Sequence, residues 1–436
     1  MWALEFLAAA GVRQVVCSPG SRNSPLIIAL TADERFTYTT LGDERAAAFH
    51  ALGAAVATGR PVAVMATSGS AIANYYPAVL EAFYSHQPLV VITADRPQDS
   101  IGIGAGQTCV QPRFFEPHIG ASVHLDEAAP LEAVREQFNE ALEQLSQTRL
   151  PVHINLSFDE PLYERAPAPP ELHLSSGRGP ASDTFAPFAG LHPATAELVA
   201  TLNPREEWAF VAGQLSPTEG QALRRAMSAL PATFTFYADP ASGLLDHPQS
   251  VPLTALLERR PDVLVSVGGQ WVDKHPKVHL QQHPPRHHVH VHPYQCWNVT
   301  KTQVVHLAQA VEVWTSLASV YEGVYPPSVS FPNGRIHHFA ADLPWSDALA
   351  FATAVQCSDA FDTVHLGNST AVRYAHWFPL GSKLQSNRGI AGIDGSLSTA
   401  VGAATARPDQ RHLCILGDQS FIYDSNALYV NPLPAN

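Results

Sequence analysis

The sequence predicts an α/β chain built on mostly parallel sheets, and three observations carry the prediction. Short strand-like runs alternate with helix-like runs in three stretches of the 436 residues, the pattern of sheets covered on both faces. Irregular segments rich in Pro, after Pro161 and from Gly323 to Asn333, separate the stretches. The strand ends carry short polar or Gly-containing tails, placed where parallel sheets bind ligands.

The first stretch has strand candidates at Val12 to Cys17, Phe36 to Thr40, Val62 to Thr67, Leu89 to Thr93 and Val152 to Leu156. Its centre is the βαβα unit Phe36 to Ala82, in which two strands each feed an Ala-rich helix with apolar residues at helical spacing. The tails Ser18–Arg22, Gly42–Arg45, Thr67–Ser70 and Thr93–Pro97 then fall on one edge and make a site. Composition shifts to Pro, Ala, Ser and Gly after Pro161, which reads as a linker. The second stretch has strands near Trp208 to Ala212, Thr233 to Tyr237, Val263 to Val267 and His287 to His292. The third has strands Thr363 to Leu366, Leu384 to Ser386 and His412 to Leu416 and a helix Asp394 to Ala406, which is short for an α/β domain.

Bulk properties narrow the function. A formal net charge of -13, with no run of Lys and Arg, disfavours nucleic acid and anionic membranes and favours small molecules. Five scattered cysteines with no C-x-x-C pair argue against a disulfide framework and a zinc site. The N-terminus carries Glu5 in its apolar run and no basic region, so it reads as a first amphipathic helix and not as a signal peptide. No apolar run approaches the roughly 20 residues of a membrane span. A cytoplasmic protein is expected.

Individual motifs carry the chemistry. Glu44 stands just past a strand at a helix start; Asp43 as N-cap and Glu44 in the first turn would also suit the helix dipole alone. Gly102–Gln107 has Gln107 where a dinucleotide loop needs its third Gly, and no strand leads into it, so it is set aside as a Rossmann motif. Gly367–Ala371 fits an anion-binding helix start better than a nucleophile elbow, since Ala371 replaces the last Gly. In His287–His292 the valines are expected to face the core and the histidines to face outward, with no metal. Arg22, Arg96, Arg373 and Arg388 fall on the ligand side of the strands, which suits substrates with several carboxylates. Asp418, ending an apolar strand, suits either a hard cation or an N-cap.

VVCSPGSRNSPL, LGDERAAAFHALG, PVAVMATSGSAIANYYPAVLEA, ITADRP, GAGQ, PVHINLSFDEPLY, LGNSTAVR, SNRGIAGIDGSLSTAVG and LGDQSFIYDSNAL, in this order, closely resemble the 2-succinyl-5-enolpyruvyl-6-hydroxy-3-cyclohexene-1-carboxylate synthase family. The middle region resembles it only loosely. The resemblance implies three doubly wound parallel-sheet domains of the thiamine-diphosphate enzyme type, the third incomplete. These are a pyrimidine-binding domain (1–165), a linker (166–185), a middle α/β domain (186–325) and a truncated diphosphate and Mg²⁺ domain (340–436).

By matching motifs, Glu44 would be the catalytic acid that hydrogen-bonds the aminopyrimidine, and Ile393 the apolar wedge that bends the cofactor. Asp418 would be the first carboxylate on Mg²⁺ (or Mn²⁺), and Ser369 would reach cofactor and substrate. Ser21, Arg22, Arg96, Gln107, Lys274, Arg373 and Arg388 would line the substrate pocket. The implied reaction is decarboxylation of 2-oxoglutarate and addition of the succinic semialdehyde unit, as a cofactor-bound enamine, to isochorismate in menaquinone biosynthesis. The resemblance also implies a homo-oligomer, a dimer or dimer of dimers, with its active site at the subunit interface. Two departures stand out. Lys274 is followed by His275 where many relatives have Arg. Family members also continue past the point where this chain ends, with further metal ligands, so the chain is expected to be C-terminally truncated. Two alternatives remain: another thiamine-diphosphate carboligase of the acetolactate synthase type, and an inactive chain that only associates with a complete subunit.

Overall fold

The computed structural model describes residues 2–126, 129–164, 172–174, 201–308, 313–319 and 344–436. Apart from 172–174, the expected linker 166–185 lies outside the described residues, as does the irregular segment 323–333. The chain forms two compact units. One comprises Met1–Thr184, Gly389–Gln410 and Asp418–Asn436; the other comprises Phe185–Arg388 and Arg411–Gly417.

The first unit begins α1 (Trp2–Ala9), β1 (Gln14–Cys17), α2 (Ser24–Thr31), β2 (Thr37–Thr40), α3 (Glu44–Thr58), β3 (Val62–Ala66), α4 (Ser70–Asn74), α5 (Tyr76–Tyr84) and β4 (Leu89–Asp95). It continues with β5 (Ala121–Leu125), α6 (Leu131–Thr148) and β6 (Val152–Ser157). The six strands pair in parallel in the order β2-β1-β3-β4-β6-β5. Alternate residues of each central strand enter different cores. Ala63, Met65, Val90 and Ile92 pack with α1, α2 and α6, whereas Val62, Val64, Leu89 and Val91 pack with α3 and α5. Such a split needs helices on both faces, so the sheet is doubly wound.

The second unit runs β7 (Trp208–Ala212), α7 (Pro217–Met227), β8 (Phe236–Ala238), β9 (Ser250–Pro252), β10 (Val263–Val267), α8 (His275–Gln282), β11 (His287–Val291), β12 (Val304–Leu307) and α9 (Val313–Ser319). Then come α10 (Asp347–Gln356), β13 (Thr363–Leu366), α11 (Thr370–Tyr374) and β14 (Leu384–Gln385). Its strands form two parallel sheets, β12-β11-β10-β7-β8-β9 and the three-stranded β14-β13-β15, where β15 is His412–Ile415. Two late helices, α12 (Ser396–Ala406) and α13 (Asp418–Tyr423), belong to the first unit.

The expected α/β class with parallel sheets is therefore what forms. Three strands were not expected, and each lies on an edge: β5 in the first sheet, β9 and β12 in the second. Edge strands are covered less completely, so their sequences lack the continuous apolar run that marks a central one.

One expectation is corrected. His288 and His290 do not face outward; both are buried, because β11 is an interior strand with helices on each side. The Ser266 hydroxyl pairs with His288 Nε2 and with His290 Nδ1, each at 2.8 Å, and Thr300 Oγ1 lies 3.2 Å from His288 Nδ1, so one ring nitrogen of His290 and both of His288 are met. Burial lowers the His288 imidazole to about 4.

Helices α3 and α12 meet backbone to backbone. A Cβ on Gly53 would lie 2.0 Å from the Thr399 carbonyl oxygen, and one on Gly402 would lie 2.0 Å from that of His50. No side chain fits at either point, so glycine is what permits the crossing.

Candidate active site

Side chains distant in sequence fix the start of α3 in the first unit. Asp43 is its N-cap, with Oδ1 accepting the N–H groups of Arg45 at 2.9 Å and Ala46 at 3.2 Å. Asn426 Nδ2 donates to the other oxygen, Oδ2, at 2.6 Å. Arg45 donates to the Tyr423 carbonyl and lays its guanidinium over the Tyr423 ring, 4.1 Å from the centroid. Glu44 is the first helical residue, half-buried, and its carboxylate has no hydrogen-bond partner among the described residues. Burial pushes the Tyr75 phenol well above its ordinary range; the Ser18 hydroxyl opposes that shift, and Glu44 is close enough to add to it.

The neighbouring strand ends position Gln107 and Arg96. Ser68 Oγ, just past β3, donates to the Gln107 carbonyl at 2.9 Å, and Arg96 Nε, just past β4, donates to the Gly106 carbonyl at 2.9 Å. Gly69 turns the chain with φ 76°, and a Cβ there would lie 3.0 Å from Gln107 Cα. Beneath this loop, fully buried Gln111 accepts the Gly69 N–H at 2.9 Å and donates to the Ala94 carbonyl at 3.0 Å and to Asn155 at 2.8 Å. Asp95 completes the network by accepting from Asn155 at 2.8 Å and from the Arg96 N–H at 2.8 Å. Its carboxyl is raised by burial, against those hydrogen bonds. Arg22 is buried and donates to the Phe158 carbonyl at 2.8 Å, with Glu160 at 3.6 Å.

Ile393 and Asp418 also belong to the first unit. Ser420 Oγ donates to the Ile393 carbonyl at 2.6 Å, while the Ile393 side chain is 41% exposed. Asp418 opens α13 and is exposed, with Gln419 Nε2 at 3.4 Å. Among the described residues, no group of three or more His, Cys, Asp or Glu is placed to hold a metal ion. Asp418 thus offers a single exposed carboxylate, a hard oxygen donor of the kind that Mg²⁺ would take and not an all-protein cage.

Lys274, Ser369, Arg373 and Arg388 belong to the second unit. Ser369 makes the turn from β13 to α11 with φ 70° and ψ −120°, close to the 76° and −132° of Gly69 in the equivalent turn after β3. Arg388 is buried and donates to Asn368 Oδ1 at 2.8 Å, and Asn368 in turn donates to the Asn387 carbonyl at 2.7 Å. Arg373 is exposed on α11, a helix of five residues. The side chains of Lys274, Ser369 and Arg373 carry no hydrogen bond to another described residue. His275, which stands after Lys274, pairs with Asp273 Oδ1 at 2.8 Å.

Residues 2–114 match the family model described as thiamine pyrophosphate enzyme, N-terminal TPP binding domain. Over 99% of its length the chain is 33% identical to the 2-succinyl-5-enolpyruvyl-6-hydroxy-3-cyclohexene-1-carboxylate synthase of Flavobacterium psychrophilum, covering 80% of that protein. The chain belongs to this synthase family. It is 36% identical to the synthase of that name from Desulfotalea psychrophila, with 98% of this chain and 82% of that one covered. It is 32% identical to the one from Bacteroides fragilis, with 99% and 80% covered. Family membership makes the chain a thiamine-diphosphate-dependent transferase. Among the described residues, no helix is long and apolar enough to cross a membrane.

The site's supporting residues were not among those the sequence singled out. Gln111, Asn426 and Glu81 each bond to groups distant in sequence, and such pairs leave no local pattern. The nearest signal is Glu81 itself, a lone acid among the apolar residues of YPAVLEAFY.

Proposed function

We propose that the chain is a decarboxylating carboligase that transfers the succinic semialdehyde unit of 2-oxoglutarate to isochorismate, releasing CO₂, as a step of menaquinone biosynthesis. The observation that carries this reading is the start of α3. There a half-buried carboxylate, Glu44, is held by a capped helix and has no hydrogen-bond partner among the described residues, which leaves it available to a ligand N–H. When bound, thiamine diphosphate supplies the carbon nucleophile and the electron sink. Glu44 holds or moves the proton shared with the aminopyrimidine nitrogen, a role typically worth about 10²- to 10⁴-fold in rate. Ile393 would present an apolar surface to the cofactor. Asp418 would supply one carboxylate to Mg²⁺ (or Mn²⁺), the hard oxygen donor that such a cation takes.

Substrate carboxylates are met by Arg22, Arg96, Arg373, Arg388 and Lys274, with Ser21, Gln107 and Ser369 as neutral donors. Two dicarboxylic substrates account for this many cations in an acidic chain. The domain reading stays as the motifs imply: 1–165 for the pyrimidine, 186–325 in the middle and 340–436 for the diphosphate. The active site is proposed to lie at a subunit interface of a cytoplasmic dimer or dimer of dimers.

The deciding experiment is a calorimetric titration of thiamine diphosphate with and without Mg²⁺, followed by CO₂ release from 2-oxoglutarate with isochorismate present. Mg²⁺-dependent binding and release with 2-oxoglutarate but not pyruvate would support the proposal. Preference for pyruvate would move the chain to the acetolactate synthase type, and absence of binding would leave a chain that only associates.

A further inference from the structure

Glu81 lies on α5 between Val79 and Ala82, both fully buried in the core that also holds the first turns of α3. It is itself 3% exposed. A buried carboxylate in such a layer needs hydrogen-bond donors. They come from two consecutive backbone groups: the Gly389 N–H reaches Oε1 at 2.6 Å and the Ile390 N–H reaches Oε2 at 2.9 Å. Gly389 is shaped to this contact, because a Cβ there would lie 2.6 Å from the Glu81 carbonyl oxygen and 3.0 Å from its Cδ.

Three residues further on, the Ile393 carbonyl accepts from Ser420. Segment 389–393 is therefore fastened through its backbone at both ends, while Ile390 and Ile393 leave 39% and 41% of their surface open. Only a carboxylate offers two acceptor oxygens and no donor to this pair of N–H groups.

We propose that Glu81 is a positioning residue: its carboxylate fastens segment 389–393 so that the Ile393 side chain is presented at a fixed place to the cofactor. The proposal rests on Ile393 being the apolar surface under the cofactor.

The test compares Glu81→Gln, which keeps size but loses one acceptor, with Gly389→Ala, which keeps the carboxylate and drives the segment away from it. Amide hydrogen exchange is followed in the cofactor-free chain, and thiamine diphosphate affinity is measured with Mg²⁺. Both variants are expected to speed exchange at residues 389 and 390 at least about tenfold while α3 and α12 exchange as before, and to weaken cofactor binding by about tenfold. Unchanged exchange in both variants would overturn the proposal, as would faster exchange with undiminished affinity. Because exchange is read without cofactor, the fastening is tested even if the chain fails to bind. Ile393→Ala separates the two ideas. Weakened binding in Glu81→Gln with none in Ile393→Ala would keep the fastening and discard the role of Ile393. The reverse would discard the positioning role of Glu81.

Discussion

Asn426 and Asp43, 383 positions apart, are joined side chain to side chain at 2.6 Å. The same Asp43 carboxylate caps α3 through its other oxygen, so one group ties the helix that begins with Glu44 to the end of the chain. Replacing Asp43 by Ala removes the cap and strands the Asn426 amide, and is expected to cost about 1 to 2 kcal/mol. Asn426→Ala leaves the cap intact and should cost less. Urea unfolding of the two variants checks this; equal losses would mean that the cap contributes nothing.

Glu44→Gln is expected to fold and bind thiamine diphosphate, yet lose on the order of 10²-fold or more in turnover. Steady-state kinetics beside calorimetry decide it. Near-normal turnover would reduce Glu44 to a helix-start acid.

The two arginines of the second unit should separate. Arg373 is exposed and has no described partner, so Arg373→Ala should raise substrate KM with little change in stability. Arg388 is buried and bonded to Asn368, so Arg388→Ala should raise KM and also cost about 1.5 to 3 kcal/mol. Unaltered kinetics in both variants would remove them from the carboxylate clamp.

Acid should weaken the fold through its buried histidines. Burial lowers His50 to about 4 and His365 to about 3 from the ordinary 6.5. Between those values the unfolded chain binds protons that the folded chain does not, so their contribution is lost as pH falls from about 6.5 toward 4. Asp95, Asp239 and Asp424, raised by burial, act in the opposite sense above 3.8. His50→Leu isolates one imidazole: its unfolding temperature should fall less than that of the parent between pH 7 and pH 5. Identical slopes would mean that His50 takes up its proton in the fold as readily as in the unfolded chain.

The interior strands and the helix cap were readable because their signals are local. Val62–Ala66 is a continuous apolar run, and Asp43 precedes an Ala-rich helix by one residue. The edge strands β5, β9 and β12 carry weaker runs, since only part of each is covered. The burial of His288 and His290 depended on β12 pairing outside them and on Ser266 beside them, and neither follows from alternation within one strand. Glu81 meets Gly389 across 308 positions, so no window of sequence contains both.

The paired turns at Gly69 and Ser369 place an internal control in the chain. Both adopt a backbone shape that glycine takes freely and that costs a side-chain-bearing residue about 1 to 3 kcal/mol. At the first position the chain takes the relaxed solution; at the second it keeps a hydroxyl and tolerates the distortion. Ser369→Gly is therefore expected to make the protein harder to melt and poorer at its reaction, an opposition that scanning calorimetry and a turnover assay on one variant would expose. Selection for robustness alone would have erased that serine.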